Sequence, residues 1–125
     1  MKRILLVDDF EPGRRVLRER LEIQGYLCQE AENGSEALQV MGTKHFDLVI
    51  TDNQMPVMTG LQMIQYLAKK TKDQRPSVIF LTGHLSDQLS KAAQEAGACA
   101  ILGKPYKEQK LISEITRILE LPSSA

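Results

Sequence analysis

Five polar side chains stand at or just beyond the carboxyl ends of short apolar runs. Asp8 and Asp9 follow Ile4–Val7, Asp52 follows Asp47–Thr51, Thr82 follows Ser77–Leu81, and Lys104 lies just past Ala98–Leu102. Three carboxylates brought together repel one another, which is costly unless a cation neutralises them. Hard oxygen ligands on loops suit Mg²⁺, which keeps several waters and takes one or two carboxylates plus a phosphate. A hydroxyl and an ammonium beside such an ion are what the remaining oxygens of a phosphoryl group need. Each residue alone has a plainer reading. An Asp-Asp after a strand is commonly a helix N-cap, a single Asp at a strand end a turn residue, and a lone Thr or Lys a solvated loop side chain. Five such residues on one edge of a sheet, drawn from four strand ends, are what distinguishes a site.

That edge exists only if the runs form one sheet. Ile4–Val7, Asp47–Thr51 and Ser77–Leu81 are continuously apolar rather than alternating, as strands covered on both faces are. Ala98–Leu102 is a weaker fourth strand. Tyr26–Ala31 is more polar and is expected at a sheet edge. Helical periods lie between them. Leu111, Ile112, Ile115, Ile118 and Leu119 form one apolar stripe, Leu61, Ile64, Leu67 and Ala68 another, and Ala37, Leu38 and Met41 a short third. Glu11–Gln24 holds Val16, Leu17, Leu21 and Ile23 among many charges, with Pro12 near its start and Gly25 as its stop. Ser86–Ala96 is Ala-rich with few large apolar groups, so weak packing is expected, and Gly97 should end it. Asn33-Gly34, Gly60, Gly83 and Pro105 punctuate the loops. Strand–helix alternation of this kind implies an α/β fold, a single (βα)5 unit with a parallel five-stranded sheet and helices on both faces. In such a sheet the site lies outside the carboxyl ends of the strands.

Composition bounds the function. The chain has 125 residues, with Lys+Arg 16 balancing Asp+Glu 16, so one domain is expected. Charge balance argues against broad nucleic-acid binding, and the absence of Trp with 5% aromatic residues against a single-strand stacking platform. No apolar run approaches the ~20 residues that span a bilayer. Met1–Val7 starts like a signal peptide, but Asp8-Asp9 cut its apolar stretch short, so a cytoplasmic protein is expected. Cys28 and Cys99 sit in no CxxC pair and are read as buried free thiols.

Ile4-Leu5-Leu6-Val7-Asp8-Asp9 resembles the start of a response-regulator receiver domain. Asp52-Asn53-Gln54-Met55-Pro56-Val57-Met58-Thr59-Gly60 resembles that family's phosphoacceptor loop. Phe80-Leu81-Thr82-Gly83, Gly97-Ala98 and Lys104-Pro105 resemble its remaining motifs. The resemblance covers Lys2–Leu119. It implies a flavodoxin-like, doubly wound sheet of order 2-1-3-4-5, with residues 1–121 as the receiver domain and 122–125 as a frayed tail or a truncated linker.

The resemblance also implies roles. Asp52 would accept a phosphoryl group from a sensor histidine kinase, a histidine phosphotransfer protein or a small phosphodonor. Asp9 would bind Mg²⁺ directly and Asp8 mainly through water, with Asp52 and the main-chain carbonyl of Gln54 as further ligands and Mn²⁺ as an alternative ion. Thr82 and Lys104 would each hold a phosphoryl oxygen. The chain would be no classical enzyme, yet would promote its own phosphorylation and slow dephosphorylation. A downstream effector or a second copy would dock on the helices Ser86–Ala96 and Lys107–Leu119, with no direct nucleic acid and no membrane. The Lys104-Pro105 bond would be cis, and Cys28 and Cys99 would lie at opposite sheet edges, too far apart for a disulfide. Family members often carry an aromatic residue three positions before the Lys, where this chain has Ile101; Gly103 is also less usual. Gln54 and His84 take the variable positions flanking Asp52 and Thr82.

Two other functions bear on the same residues. A receiver-like module that binds its partner without phosphate remains open, although the complete Asp, Thr and Lys set favours the switch. An FMN site is disfavoured, because the first turn is Asp-Asp-Phe-Glu rather than a Ser/Thr/Gly-rich phosphate loop.

Overall fold

The computed structural model describes residues 1–70 and 75–120; the tail expected over 122–125 lies outside them. Strands and helices alternate through the chain. They run β1 Arg3–Val7, α1 Glu11–Ile23, β2 Leu27–Ala31, α2 Gly34–Met41, β3 Leu48–Asp52, α3 Gly60–Leu67, β4 Ser77–Thr82, α4 Asp87–Glu95, β5 Ala100–Gly103 and α5 Glu108–Leu119. All four strand pairings are parallel, and the sheet order is β2-β1-β3-β4-β5. The polar strand over Tyr26–Ala31 is accordingly an edge, with β5 opposite.

The continuous apolar runs have the expected cause. Alternate residues of each central strand enter different cores. Leu5, Val7, Val49, Val78 and Phe80 pack with Ala37 of α2, Met63 and Ile64 of α3 and Ala93 of α4. Ile4, Leu6, Leu48, Ile50, Ile79 and Leu81 pack on the other face with Leu21 of α1 and with Leu111 and Ile115 of α5. Both faces being covered, every side chain of β1 from Ile4 to Val7 is buried. Each such aliphatic group contributes roughly 1.5–3 kcal/mol.

The helix boundaries follow local rules. Pro12 sits in the first turn of α1. Asn33 caps α2 through the Glu36 N–H, and Ser86 caps α4 through the Leu89 N–H. Thr59 and Gln62 form a reciprocal capping box on α3. Gly25 and Gly97, with φ +98° and +106°, follow α1 and α4 in the left-handed region. Helix α4 buries only Ala93, matching the weak packing expected of it.

One expectation needs correction, that both cysteines are buried, and the apolar residues of α1 divide between core and solvent. Val16 and Ile23 of α1 face solvent, whereas Leu17 and Leu21 carry the helix's contact with the core. Arg14, one turn earlier, is buried instead, because its guanidinium finds partners described below. Cys99 is exposed and Cys28 only half-buried. Cys99 precedes β5, in the open connection after α4, so no layer covers it. The cysteines do occupy opposite sides of the sheet, and burial pushes the Cys28 thiol up to about 12, with the charge of Glu22 adding to it.

Candidate functional site

The sheet register brings the site together. Val7 pairs with Thr51, so Asp8 emerges beside Asp52; Leu81 pairs with Asp52, and Thr82 with Gly103. Asp52 and Thr82 are the last residues of β3 and β4 rather than the first residues beyond them. Asp8, Asp9 and Asp52 each offer a carboxylate oxygen, and the three lie within 4.8 Å of one another. Lys104 Nζ stands 3.0 Å from Asp8 Oδ2 and 3.5 Å from Asp52 Oδ2. The Lys104 N–H donates to the Thr82 carbonyl at 2.7 Å, tying the last two strand ends together. Thr82 is fully buried, and its Oγ1 accepts the His84 N–H at 3.1 Å. The Lys104-Pro105 bond is cis, as the resemblance implied.

The electrostatics are unbalanced. Burial pushes the Asp52 carboxyl above its usual range; Asp8 adds to that push, and Lys104 and the N–H groups of Asn53 and Gln54 oppose it. Burial works against the Lys104 ammonium, yet its hydrogen bond to Asp8 and the charges of Asp8 and Asp52 raise its pKa. Among the described residues Lys104 is the cation that bridges these carboxylates. When the three acids are ionised, about two negative charges are left over, which is the charge of one divalent ion. The donors are hard oxygens on a partly exposed surface, which suits Mg²⁺ with retained waters. The residues therefore fit that ion.

The loop after β3 is folded back tightly. The Asn53 N–H donates to Asp52 Oδ1 at 2.7 Å, and Asn53 Oδ1 accepts the Leu61 N–H at 3.0 Å. Gly60 is packed so closely that a Cβ there would fall on the Asp52 carbonyl and the Phe80 ring. Val57 takes φ 72°, and the Met58 N–H reaches the Pro56 carbonyl at 2.8 Å. That is a γ-turn centred on a β-branched residue in the left-handed region, a strained conformation. Neither the Asn53 ties nor this turn was legible in the sequence; an Asn directly after a strand-end Asp was the available hint. Gln54 and His84 are both exposed beside the pocket.

A family model for the response regulator receiver domain matches residues 4–116. The chain belongs to the response-regulator receiver family. Chemotaxis protein CheY of Pseudomonas aeruginosa is 33% identical over 120 residues, covering 94% of this chain and 96% of that protein. Response regulator receiver protein CpdR of Brucella abortus is 31% identical, covering 95% and 98%. Among solved structures, response regulator TrrA of Thermotoga maritima, in complex with Mg(2+)-BeF, is 35% identical with TM-score 0.85, covering 95% of this chain and all of that one. The receiver fold expected from the motifs, five parallel strands in order 2-1-3-4-5 with five helices, is the fold observed. This receiver belongs to the response regulators of two-component signalling, whose partners are histidine kinases and downstream effectors. Among the described residues no helix is long and apolar enough to cross a membrane.

Proposed function

We propose that this receiver accepts a phosphoryl group on Asp52, in a Mg²⁺-dependent reaction, from a sensor histidine kinase or histidine phosphotransfer protein, and that the modified form alters its partner surface. The observation that carries this reading is the cluster of Asp8, Asp9 and Asp52 with Lys104 against two of its carboxylates. A carboxylate oxygen of Asp52 attacks phosphorus and forms the new O–P bond. The P–N bond of the donor phosphohistidine breaks, and its electron pair returns to the imidazole. Lys104 takes one phosphoryl oxygen, and the Thr82 hydroxyl, fully buried here, takes another once it turns toward the pocket. Asp8, Asp9, Asp52 and the Gln54 carbonyl would hold Mg²⁺, which neutralises charge on the transferring group. Positioning and charge neutralisation carry most of the rate, because a carboxylate is a weak nucleophile. Slow attack by water at phosphorus returns Asp52 to the free acid, with Gln54 and His84 beside the approach.

The division of labour between the first two acids has local support. Both Asp8 oxygens already accept donors, Phe10 N–H at 3.0 Å and Lys104 at 3.0 Å. No donor among the described residues reaches the exposed Asp9 carboxylate, which leaves it for direct ligation. The output surface is α4, β5 and α5, where an effector or a second copy docks. Helix α4 buries only Ala93, and the loop that leads into it is tied to Thr82 by the His84 N–H.

The test is incubation with acetyl phosphate, with and without MgCl₂, read by intact mass. One phosphoryl group is expected with Mg²⁺ and none in EDTA. Uptake independent of metal would contradict the Mg²⁺-dependent reaction.

A further inference from the structure

Asp8 is held at each of its polar atoms. Its N–H donates to the Ala31 carbonyl at 3.2 Å, and its carboxylate takes Phe10 N–H and Lys104. The remaining atom, the Asp8 carbonyl oxygen, accepts Nη1 of Arg14 at 2.5 Å. Arg14 is only 8% exposed, an unusual depth for an arginine. Its Nε donates to Glu30 Oε1 at 2.7 Å, and Glu30 stands on β2 directly before Ala31. Arg18, one turn along α1, binds the other Glu30 oxygen at 2.6 Å but makes no bond to Asp8.

The geometry has a consequence for Asp9. The Asp8 carbonyl and the Asp9 N–H share one rigid peptide plane. Fixing that oxygen fixes the plane, and the plane sets where the Asp9 Cα stands, the point from which its carboxylate reaches. No donor among the described residues holds the Asp9 side chain itself, so its reach depends on where this backbone places its Cα.

We propose that Arg14, anchored by Glu30, is a positioning residue for the divalent-cation site: it holds the Asp8–Asp9 peptide so that the Asp9 carboxylate faces those of Asp8 and Asp52. The proposal rests on the Mg²⁺ reading above. It also fixes a sign. By charge alone a buried guanidinium near the acids repels Mg²⁺, and removing it would tighten binding. By position, removing it loosens the ligand set and weakens binding, as loss of groups that orient metal ligands does.

The experiment is calorimetric titration with MgCl₂ of wild type, Arg14→Lys, Arg14→Met and Arg18→Met, well below each melting temperature. Metal-free melts are run alongside. Arg14→Lys keeps the charge but loses the planar fork, so it isolates geometry and serves if Arg14→Met does not fold. Both Arg14 variants are expected to raise the Mg²⁺ Kd roughly tenfold. Arg18→Met also loses an ion pair to Glu30, yet should bind within about twofold of wild type, because its link ends at Glu30. Unchanged affinity in Arg14→Lys overturns the proposal, as does tighter binding by Arg14→Met. Equal weakening in Arg18→Met would reduce Arg14 to a strut between α1 and β2. Absence of Mg²⁺ binding by wild type would instead overturn the reading on which the proposal rests.

Discussion

Strand β3 has a carboxylate at each end, and the two have opposite characters. Asp47, one residue before the strand, accepts the Arg3 N–H at 2.8 Å and faces His45 at 3.3 Å. Burial pushes its carboxyl up, but the Arg3 N–H, His45 and Lys2 outweigh that and hold it below its usual value. Asp52, at the other end, is raised: burial and the Asp8 charge together exceed what Lys104 and two backbone N–H groups provide. The neighbours of Asp47 satisfy it, so it is a strut. The neighbours of Asp52 leave charge over, so that end of the sheet suits a cation. Burial is the largest push on both carboxyls, and what separates them is that the neighbours of Asp47 outweigh it while those of Asp52 do not.

The largest expected effect is on phosphoryl uptake. Asp52→Asn should abolish labelling by acetyl phosphate while keeping the fold, since it removes the nucleophilic oxygen and preserves shape. Asp47→Asn should label as wild type does. Intact mass distinguishes them, and loss of labelling in Asp47→Asn would dissolve the contrast between the strand ends.

Next comes packing under Asp52. Gly60→Ala drives a methyl into the Asp52 carbonyl and the Phe80 ring, whereas a Cβ at Gly83 meets nothing within 4 Å. Urea unfolding should show Gly60→Ala destabilised by about 2–4 kcal/mol. Gly83→Ala should stay within about 0.5 kcal/mol of wild type. Equal costs would show that the site end has slack after all.

Metal linkage follows. At a hundredfold excess over Kd, Mg²⁺ should stabilise the wild type by about 2.7 kcal/mol. Asp9→Ala should lose most of that response, and Asp47→Ala should keep it. A full Mg²⁺ response in Asp9→Ala, measured by thermal melts, counts against direct ligation.

The smallest effect is the pH dependence of the two acids in metal-free buffer. The folded pKa of Asp47 is depressed, so its contribution is present above the unfolded value and lost as pH falls through the folded one. Asp47→Asn should therefore be less stable than wild type at neutral pH, with the deficit closing on acidification. The folded pKa of Asp52 is raised, so its contribution is present below the unfolded value and lost as pH rises through the folded one. Asp52→Asn should accordingly gain on wild type as pH climbs from the unfolded value through the raised folded one, and no further above it. Parallel pH profiles for the two variants, from urea unfolding, would contradict the opposite shifts.

Asp8, Asp9, Asp52, Thr82 and Lys104 were legible because each follows an apolar run, and strand ends in a parallel sheet share one edge. The two-sided core was legible because Ile4–Val7 and Ser77–Leu81 do not alternate. Arg14 was not. In sequence it is one charge among many in a helix rich in them, and only the fold brings Glu30 of the neighbouring strand and the Asp8 carbonyl to its guanidinium. Val16 and Ile23 look like core by type, but only the stripe through Leu17 and Leu21 meets the sheet. The left-handed turn at Val57 is imposed by folding the loop back onto α3, against the preference of a β-branched residue. Cys99 looked like an interior thiol by residue type, and its position before an edge strand decides otherwise.

The most direct test of under-neutralisation at Asp52 is to map where the phosphoryl group goes. Protein treated with acetyl phosphate and Mg²⁺ is reduced with borohydride, which converts an acyl phosphate to a stable alcohol, and digested for peptide mass spectrometry. Modification is expected at Asp52 alone, with Asp8, Asp9 and Asp47 unmodified. Modification at Asp8, Asp9 or Asp47, or none anywhere while Mg²⁺ is shown to bind, would contradict the assignment of Asp52 as the acceptor.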